Sequence, residues 1–120
     1  MDYLYLKWFD YKVDKKYVIG ALYKKDGKYY FKLVKDYLKL AKKIDFPSNT
    51  IPFNNENKIY ESKKLFSIFK VMLPDVNKLS EEELKELLKE YNLDTYDEFE
   101  LLKATKGNLR LDNFSVEGEI

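Results

Sequence analysis

From Tyr3 to Phe9 the chain alternates. Leu4, Leu6 and Trp8 fall on one face and Tyr3, Tyr5, Lys7 and Phe9 on the other, which predicts a strand with the leucines and the tryptophan inward. A polar turn over Asp10 to Lys16 leads to a second strand, Tyr17 to Tyr23, where Gly20 marks a bulge or a close approach of another backbone. Asp26-Gly27, set between Tyr23-Lys24-Lys25 and Lys28-Tyr29-Tyr30-Phe31, is a type I′ hairpin signal: both central positions need positive φ, which Asp tolerates and Gly prefers. A three-stranded antiparallel meander over residues 3 to 33 follows.

At Val34 the period changes. Val34, Tyr37, Leu38 and Ala41 are spaced for the inner face of a helix running to Lys43, with Lys35, Lys39, Lys42 and Lys43 outside. Ile44 to Lys58 is a loop, broken by Phe46-Pro47, Ile51-Pro52 and Asn54-Asn55 and pinned to the core by Phe46, Ile51 and Phe53. The stretch Ile59 to Leu73 predicts a central helix, capped by Ser62 and closed by Pro74, with Leu65, Phe66, Phe69, Met72 and Leu73 inward. Ser80-Glu81-Glu82-Glu83 is a capping box followed by a stripe of Leu84, Leu87, Leu88 and Tyr91 that Asn92 stops. Thr95-Tyr96-Asp97-Glu98 reads as a second box, opening a helix with Phe99, Leu101 and Leu102 inward that ends at Gly107-Asn108. Leu109, Leu111, Phe114 and Val116 predict a last strand. The fold class is therefore α+β, a three-stranded antiparallel meander followed by about four short helices and a C-terminal strand, as one domain over residues 1–120.

Charge changes this picture more than composition does. The net charge is only +1, yet residues 1–43 carry 12 Lys against 5 Asp and residues 75–100 carry 3 Lys against 10 acids. The molecule thus has a basic and an acidic end, each able to steer a different partner. Neither Cys nor His occurs, which removes thiol nucleophiles, imidazole catalysis and the usual zinc, copper and haem ligands. With no Cys, no leader-like start and no apolar run near the roughly 20 residues that span a bilayer, a cytosolic protein without membrane contact is expected.

No catalytic constellation assembles from the remaining residues. The acids cluster at helix starts and on wet faces, where the dipole and solvation explain them, whereas a general acid needs a desolvated position. Ser62, Ser67, Ser80 and Ser115 have no His to activate them, and four glycines are too few for a phosphate loop. Asp75, Asp94 and Asp97 lack EF-hand spacing, so neither a metal nor another cofactor is expected. The interleaving of Lys7, Lys24, Lys25 and Lys28 with Tyr29 and its neighbours suggests a nucleic-acid face; the plainer account is ordinary strand tyrosines with lysines guarding the edges. A single Arg among 22 basic residues weighs against base recognition.

These segments also carry a resemblance. Trp8, Gly20-Ala21-Leu22, Gly27-Lys28-Tyr29-Tyr30-Phe31, Tyr60-Glu61-Ser62-Lys63-Lys64-Leu65-Phe66 with Phe69, and Asp97-Glu98-Phe99-Glu100-Leu101-Leu102 followed by Gly107 resemble the N-terminal subdomain of HipA-type serine/threonine kinases. That subdomain occurs at the front of HipA toxins, as the detached small protein HipS of split toxin systems, and ahead of HIRAN domains. The HIRAN-linked pattern is the most similar, over residues 3–116. Departures are Leu73-Pro74-Asp75-Val76 where Leu-Pro-Glu-Gly is usual, Met72 near the place of an Arg, and Lys106-Gly107 in place of a Gly pair.

The resemblance implies a docking module without the kinase or HIRAN chemistry, expected to be a non-enzymatic antitoxin-like partner that modulates or inhibits a HipA-type kinase. The alternative is a nucleic-acid-associated accessory protein or a phage-encoded inhibitor of a host nuclease or nucleoprotein. Phe46, Ile51 and Phe53 on the loop, with Met72, Asp75 and Val76 at the helix end, are the expected contact surface, as apolar residues on irregular segments least needed for the core.

Overall fold

The computed structural model describes residues 2–40, 42–43, 45–48, 51–107 and 113–120, with Lys35 described by its backbone alone. Three strands form the meander as the alternation predicts: β1 (Tyr3–Asp10), β2 (Lys15–Lys25) and β3 (Lys28–Leu33). Asp26 and Gly27 join β2 to β3 with φ of 53° and 78°, the positive pair that a type I′ turn requires. The turn sets the register: Lys25 pairs with Lys28, Tyr23 with Tyr30 and Leu22 with Phe31.

Gly20 fulfils both roles foreseen for it. The β1–β2 register shifts between Leu6 and Lys7, so that Leu6 faces Gly20 but Lys7 faces Val18, leaving Ile19 as the extra residue of a bulge. A Cβ on Gly20 would lie 2.3 Å from the Phe31 ring and 2.6 Å from the Lys32 carbonyl oxygen, so only hydrogen fits there.

The sheet has five strands in the order β4-β3-β2-β1-β5, all antiparallel, adding β4 (Tyr60–Ser62) beside β3 and β5 (Phe114–Glu117) beside β1. The strand β4 replaces the start of the helix expected over Ile59 to Leu73. Tyr60 pairs with Phe31, and its hydroxyl accepts the N–H groups of Asn54 and Asn55 at 3.2 and 3.1 Å, tying the preceding loop to the sheet. Ladder bonds and aromatic packing outweigh helix periodicity here. Ser62 therefore caps no helix; its Oγ accepts the Lys64 N–H in a local turn. Only α2 (Ser67–Lys70) is helical, and its N-cap Phe66 makes no side-chain bond. The apolar set survives the change, with Leu65, Phe69, Met72 and Leu73 all buried.

The other helices are α1 (Lys35–Leu40), α3 (Glu81–Glu90) and α4 (Glu98–Thr105), with a 3-10 turn at Val76–Lys78. The inner stripe of α1 differs from expectation. Val34 still donates to the Ile19 carbonyl at 2.9 Å, so the helix starts one residue later, turning Leu40 inward and leaving Leu38 47% exposed. Ser80 and Glu83 form the expected capping box of α3. Asn92, with φ of 57°, ends that helix in a Schellman motif in which Leu93 donates to Leu88 and Asn92 to Lys89. The cap of α4 is Asp97 and not Thr95: its carboxylate accepts from both Phe99 and Glu100 at 2.8 and 3.2 Å, two amides and a favourable dipole that a hydroxyl two residues earlier cannot match. Ala41, Ile44, Asn108, Leu109 and Leu111, placed on elements by the sequence pattern, lie outside the described residues.

One core joins these parts. Leu4, Leu6, Leu22 and Phe31 on the inner sheet face meet Phe69, Met72, Leu101 and Leu102 from the helical layer and Phe46, Ile51 and Phe53 from the loop. Phe53 stacks on Phe31 at 4.4 Å and stands edge-on to Phe66 at 5.3 Å. Among the described residues, no helix is long and apolar enough to cross a membrane.

Candidate functional site

The expected contact residues divide sharply. Phe46, Ile51, Phe53 and Met72 are at most 6% exposed, so the idea that they are dispensable for the core is corrected. Each fills the space under the sheet that irregular backbone leaves open; Phe46, for example, packs edge-on against Trp8 at 5.2 Å. Asp75 and Val76 do reach the surface, Asp75 exposed and Val76 half-buried, on the 3-10 turn that the Asp75 carboxylate caps through the Asn77 N–H at 3.1 Å.

Beside this turn lies the least covered helix. No residue of α3 is buried, against the expectation of a buried stripe: Leu84, Leu87, Leu88 and Tyr91 are half-buried. Leu87 and Tyr91 pack on the core, while Leu84 and Leu88 stand outside that cluster. Leu88 and Leu93 line a shallow cleft of about 410 Å³ with Lys85, Lys89, Asn92 and Asp94. Acidic groups gather around Tyr29 and Tyr96. Burial and the charges of Glu98 and Asp97 push the Tyr29 hydroxyl up to about 12, and Tyr96 is raised by burial and by Glu98, Tyr29, Asp97 and Asp75.

The residues suggested for a nucleic-acid face are not brought together. Tyr29 is buried on the inner side of β3, and Lys24, opposite it in the ladder, reaches Asp97 at 3.6 Å. Lys7 is only 7% exposed, its ammonium 3.4 Å from Glu117. Lys25 and Lys28 stay on the outer sheet face, where they pair across the hairpin. That outer face instead carries Tyr3, Tyr5, Tyr23 and Tyr30 in one contiguous row. Tyr23 stacks on Tyr30 at 5.1 Å, Tyr3 stands edge-on to Tyr23 at 5.4 Å, and Tyr3 lies near-parallel to Tyr5 at 6.2 Å. The type I′ register and the alternation of β1 were the available signals for this row.

Charged groups with shifted proton affinity serve the architecture. Burial alone would raise Glu117, but hydrogen bonds from Lys16 at 2.8 Å and Ser115 at 2.8 Å, with the charge of Lys7, bring it down to about 2. Asp10 is likewise lowered: burial opposes, and the Lys43 hydrogen bond, the Lys12 N–H and both lysine charges prevail. Lys43 is raised by the same bond, closing the β1–β2 turn onto the segment after α1. Glu61 is lowered by Lys28 and Tyr30, both at 3.2 Å across the outer face, and Glu83 by its bond to Ser80. Among the described residues no three acidic side chains converge as metal ligands would.

No curated protein and no solved structure matches this chain significantly. A family model does: the HipA N-terminal domain matches residues 13–109, from the β1–β2 turn to just beyond α4. The match takes in the bulged β2, the Asp26-Gly27 hairpin, the buried Leu65–Leu73 stretch and the Asp97 cap, and by it this chain belongs to the HipA N-terminal domain family.

Proposed function

We propose that this chain is a non-enzymatic docking module that binds a HipA-type kinase and modulates it, as a detached antitoxin-like partner. The observation that carries this reading is α3, an amphipathic helix whose half-buried Leu84 and Leu88 lie outside the core cluster, shortly after the turn where Asp75 is exposed. A half-covered apolar stripe whose cleft is bordered by Lys85, Lys89 and Asp94 is suited to a partner that buries the leucines and matches those charges at the rim. The shifted carboxylates and Lys43 support a role without catalysis, since each is matched to a strand, turn or cap.

Co-expression with a HipA-type kinase from the same genome tests the proposal. The intact chain is expected to co-purify with the kinase and to relieve its toxicity. Leu84→Asp with Leu88→Asp should abolish both while the protein stays folded. Retention of both effects in that variant would overturn the assignment of α3.

A further inference from the structure

The outer sheet face raises a question that kinase docking through α3 leaves unanswered. Its two ends differ. At one end Glu117 neutralises Lys7 and Lys16, at 3.4 and 2.8 Å. At the other, Lys25, Lys28 and Lys32 share a face with Glu61, which reaches Lys28 alone of the three at 3.2 Å, and adjoin Asp26 in the hairpin turn, whose charge acts on Tyr30. Lys25 and Lys32 are exposed and have no ion pair among the described residues.

The plainest explanation of these lysines is edge protection, and it covers only part of what this face carries. Charges on strands commonly guard sheet edges against pairing with other chains. The strands β2 and β3 are interior in order, yet β1 reaches β2 only to Tyr23 and β4 covers β3 only from Tyr29 to Phe31, so edge protection fits the positions of Lys25 and Lys32 but not the tyrosine row beside them. Lys25 and Lys28 also face each other directly, an arrangement of like charges that costs stability unless an anion offsets it. The tyrosine row lies beside them: Tyr23 and Tyr30 are the next outward pair after Lys25 and Lys28. Tyr3, 39% exposed, is the most open of the four rings. Its near-parallel partner Tyr5 sits 6.2 Å away, toward the loose end of aromatic packing, so neither ring fully occupies the other's face.

We propose that this face binds single-stranded nucleic acid, with Lys25, Lys28 and Lys32 on phosphates and Tyr3 and Tyr5 stacking bases. Flat aromatic surface beside a group of ammonium groups, of which Lys25 and Lys32 have no ion pair among the described residues, is the combination that sequence-tolerant single-strand binding uses. An acidic polypeptide would satisfy the lysines but leave the open tyrosine rings without a planar partner, so the nucleic acid is favoured. The site is separate from α3 and stands whether or not the kinase reading holds.

Fluorescence anisotropy of a labelled oligo-dT strand, titrated with the full chain, tests this. Three phosphate contacts predict a log–log salt slope of about −2, so affinity should fall about 20-fold between about 50 and 200 mM salt. Lys25→Gln, Lys28→Gln and Lys32→Gln together should remove binding, whereas Lys85→Gln with Lys89→Gln on α3 should leave it intact. Tyr3→Leu with Tyr5→Leu keeps the apolar bulk and should weaken binding at least about fivefold through lost stacking. Unchanged melting temperatures would confirm that each variant is folded. Absence of binding at the lower salt would overturn the proposal. So would binding indifferent to the tyrosine changes and displaced equally well by polyglutamate, which would mark the face as a site for an acidic protein.

Discussion

The two faces of the sheet are made of similar residues put to opposite uses. On the inner face, aromatic rings are consumed by the fold: Phe31 is fully buried among Phe53, Phe66 and Phe69. On the outer face, Tyr3, Tyr5, Tyr23 and Tyr30 contact one another and stay accessible at their rims. Alternation along a strand separates the two sets by a single residue, as Tyr29 and Tyr30 show. Function is therefore to be sought where packing leaves rings and charges over, and the sequence neighbours of those residues belong to stability.

Four expected outcomes test that division, beginning with the inner face. Gly20→Val drives a side chain into the Phe31 ring and the Lys32 carbonyl, and backbone cannot yield as a side-chain end can. A loss of about 3 kcal/mol or more is expected, read by urea denaturation or by failure to express as folded protein. Phe53→Ala empties the space between Phe31 and Phe66 and should cost roughly 3 to 5 kcal/mol, the value for a buried aromatic and not for a loop surface. Asp97→Ala removes the cap from α4 and should cost about 1 kcal/mol, visible as a lowered melting temperature.

The smallest effect concerns the outer face and is set by pH. The carboxyl of Glu117 is lowered from its ordinary 4.5 to about 2 in the folded state, so the unfolded chain takes up the proton first. Its stabilisation is complete above about pH 4.5 and is lost as pH falls toward 2. Glu117→Gln should accordingly lower the melting temperature at neutral pH and converge with the parent protein near pH 2. A difference independent of pH would detach Glu117 from the Lys7–Lys16 cluster.

Much of this was legible in the chain. The hairpin at Asp26-Gly27, the inward Leu4, Leu6 and Trp8, the Ser80 capping box and the Asn92 stop are local signals, and local geometry decides them. What failed was non-local. Tyr60–Ser62 is a strand because β3 offers an unpaired edge, and no helix-period count along residues 59–73 contains that information. The premise that the core can spare the loop residues failed for a related reason. Irregular backbone around Phe46, Ile51 and Phe53 suggested a free surface, yet those rings are what covers the sheet where helices do not. Conversely α3, with its strong amphipathic pattern, was assigned a buried stripe that the core covers only at Leu87 and Tyr91. The tyrosine row lay within reach, since a type I′ turn dictates that Tyr23 faces Tyr30.

The most direct test of the division sets stability and binding side by side. Melting temperature and affinity for a HipA-type kinase are measured on the parent protein, on Phe53→Ala, and on Leu84→Asp with Leu88→Asp. The expected result is a large fall in melting temperature for the first variant, and loss of kinase affinity at nearly unchanged melting temperature for the second. Kinase binding that survives the α3 changes but disappears with Phe53→Ala under conditions where that variant is folded would contradict it, returning the contact surface to the loop.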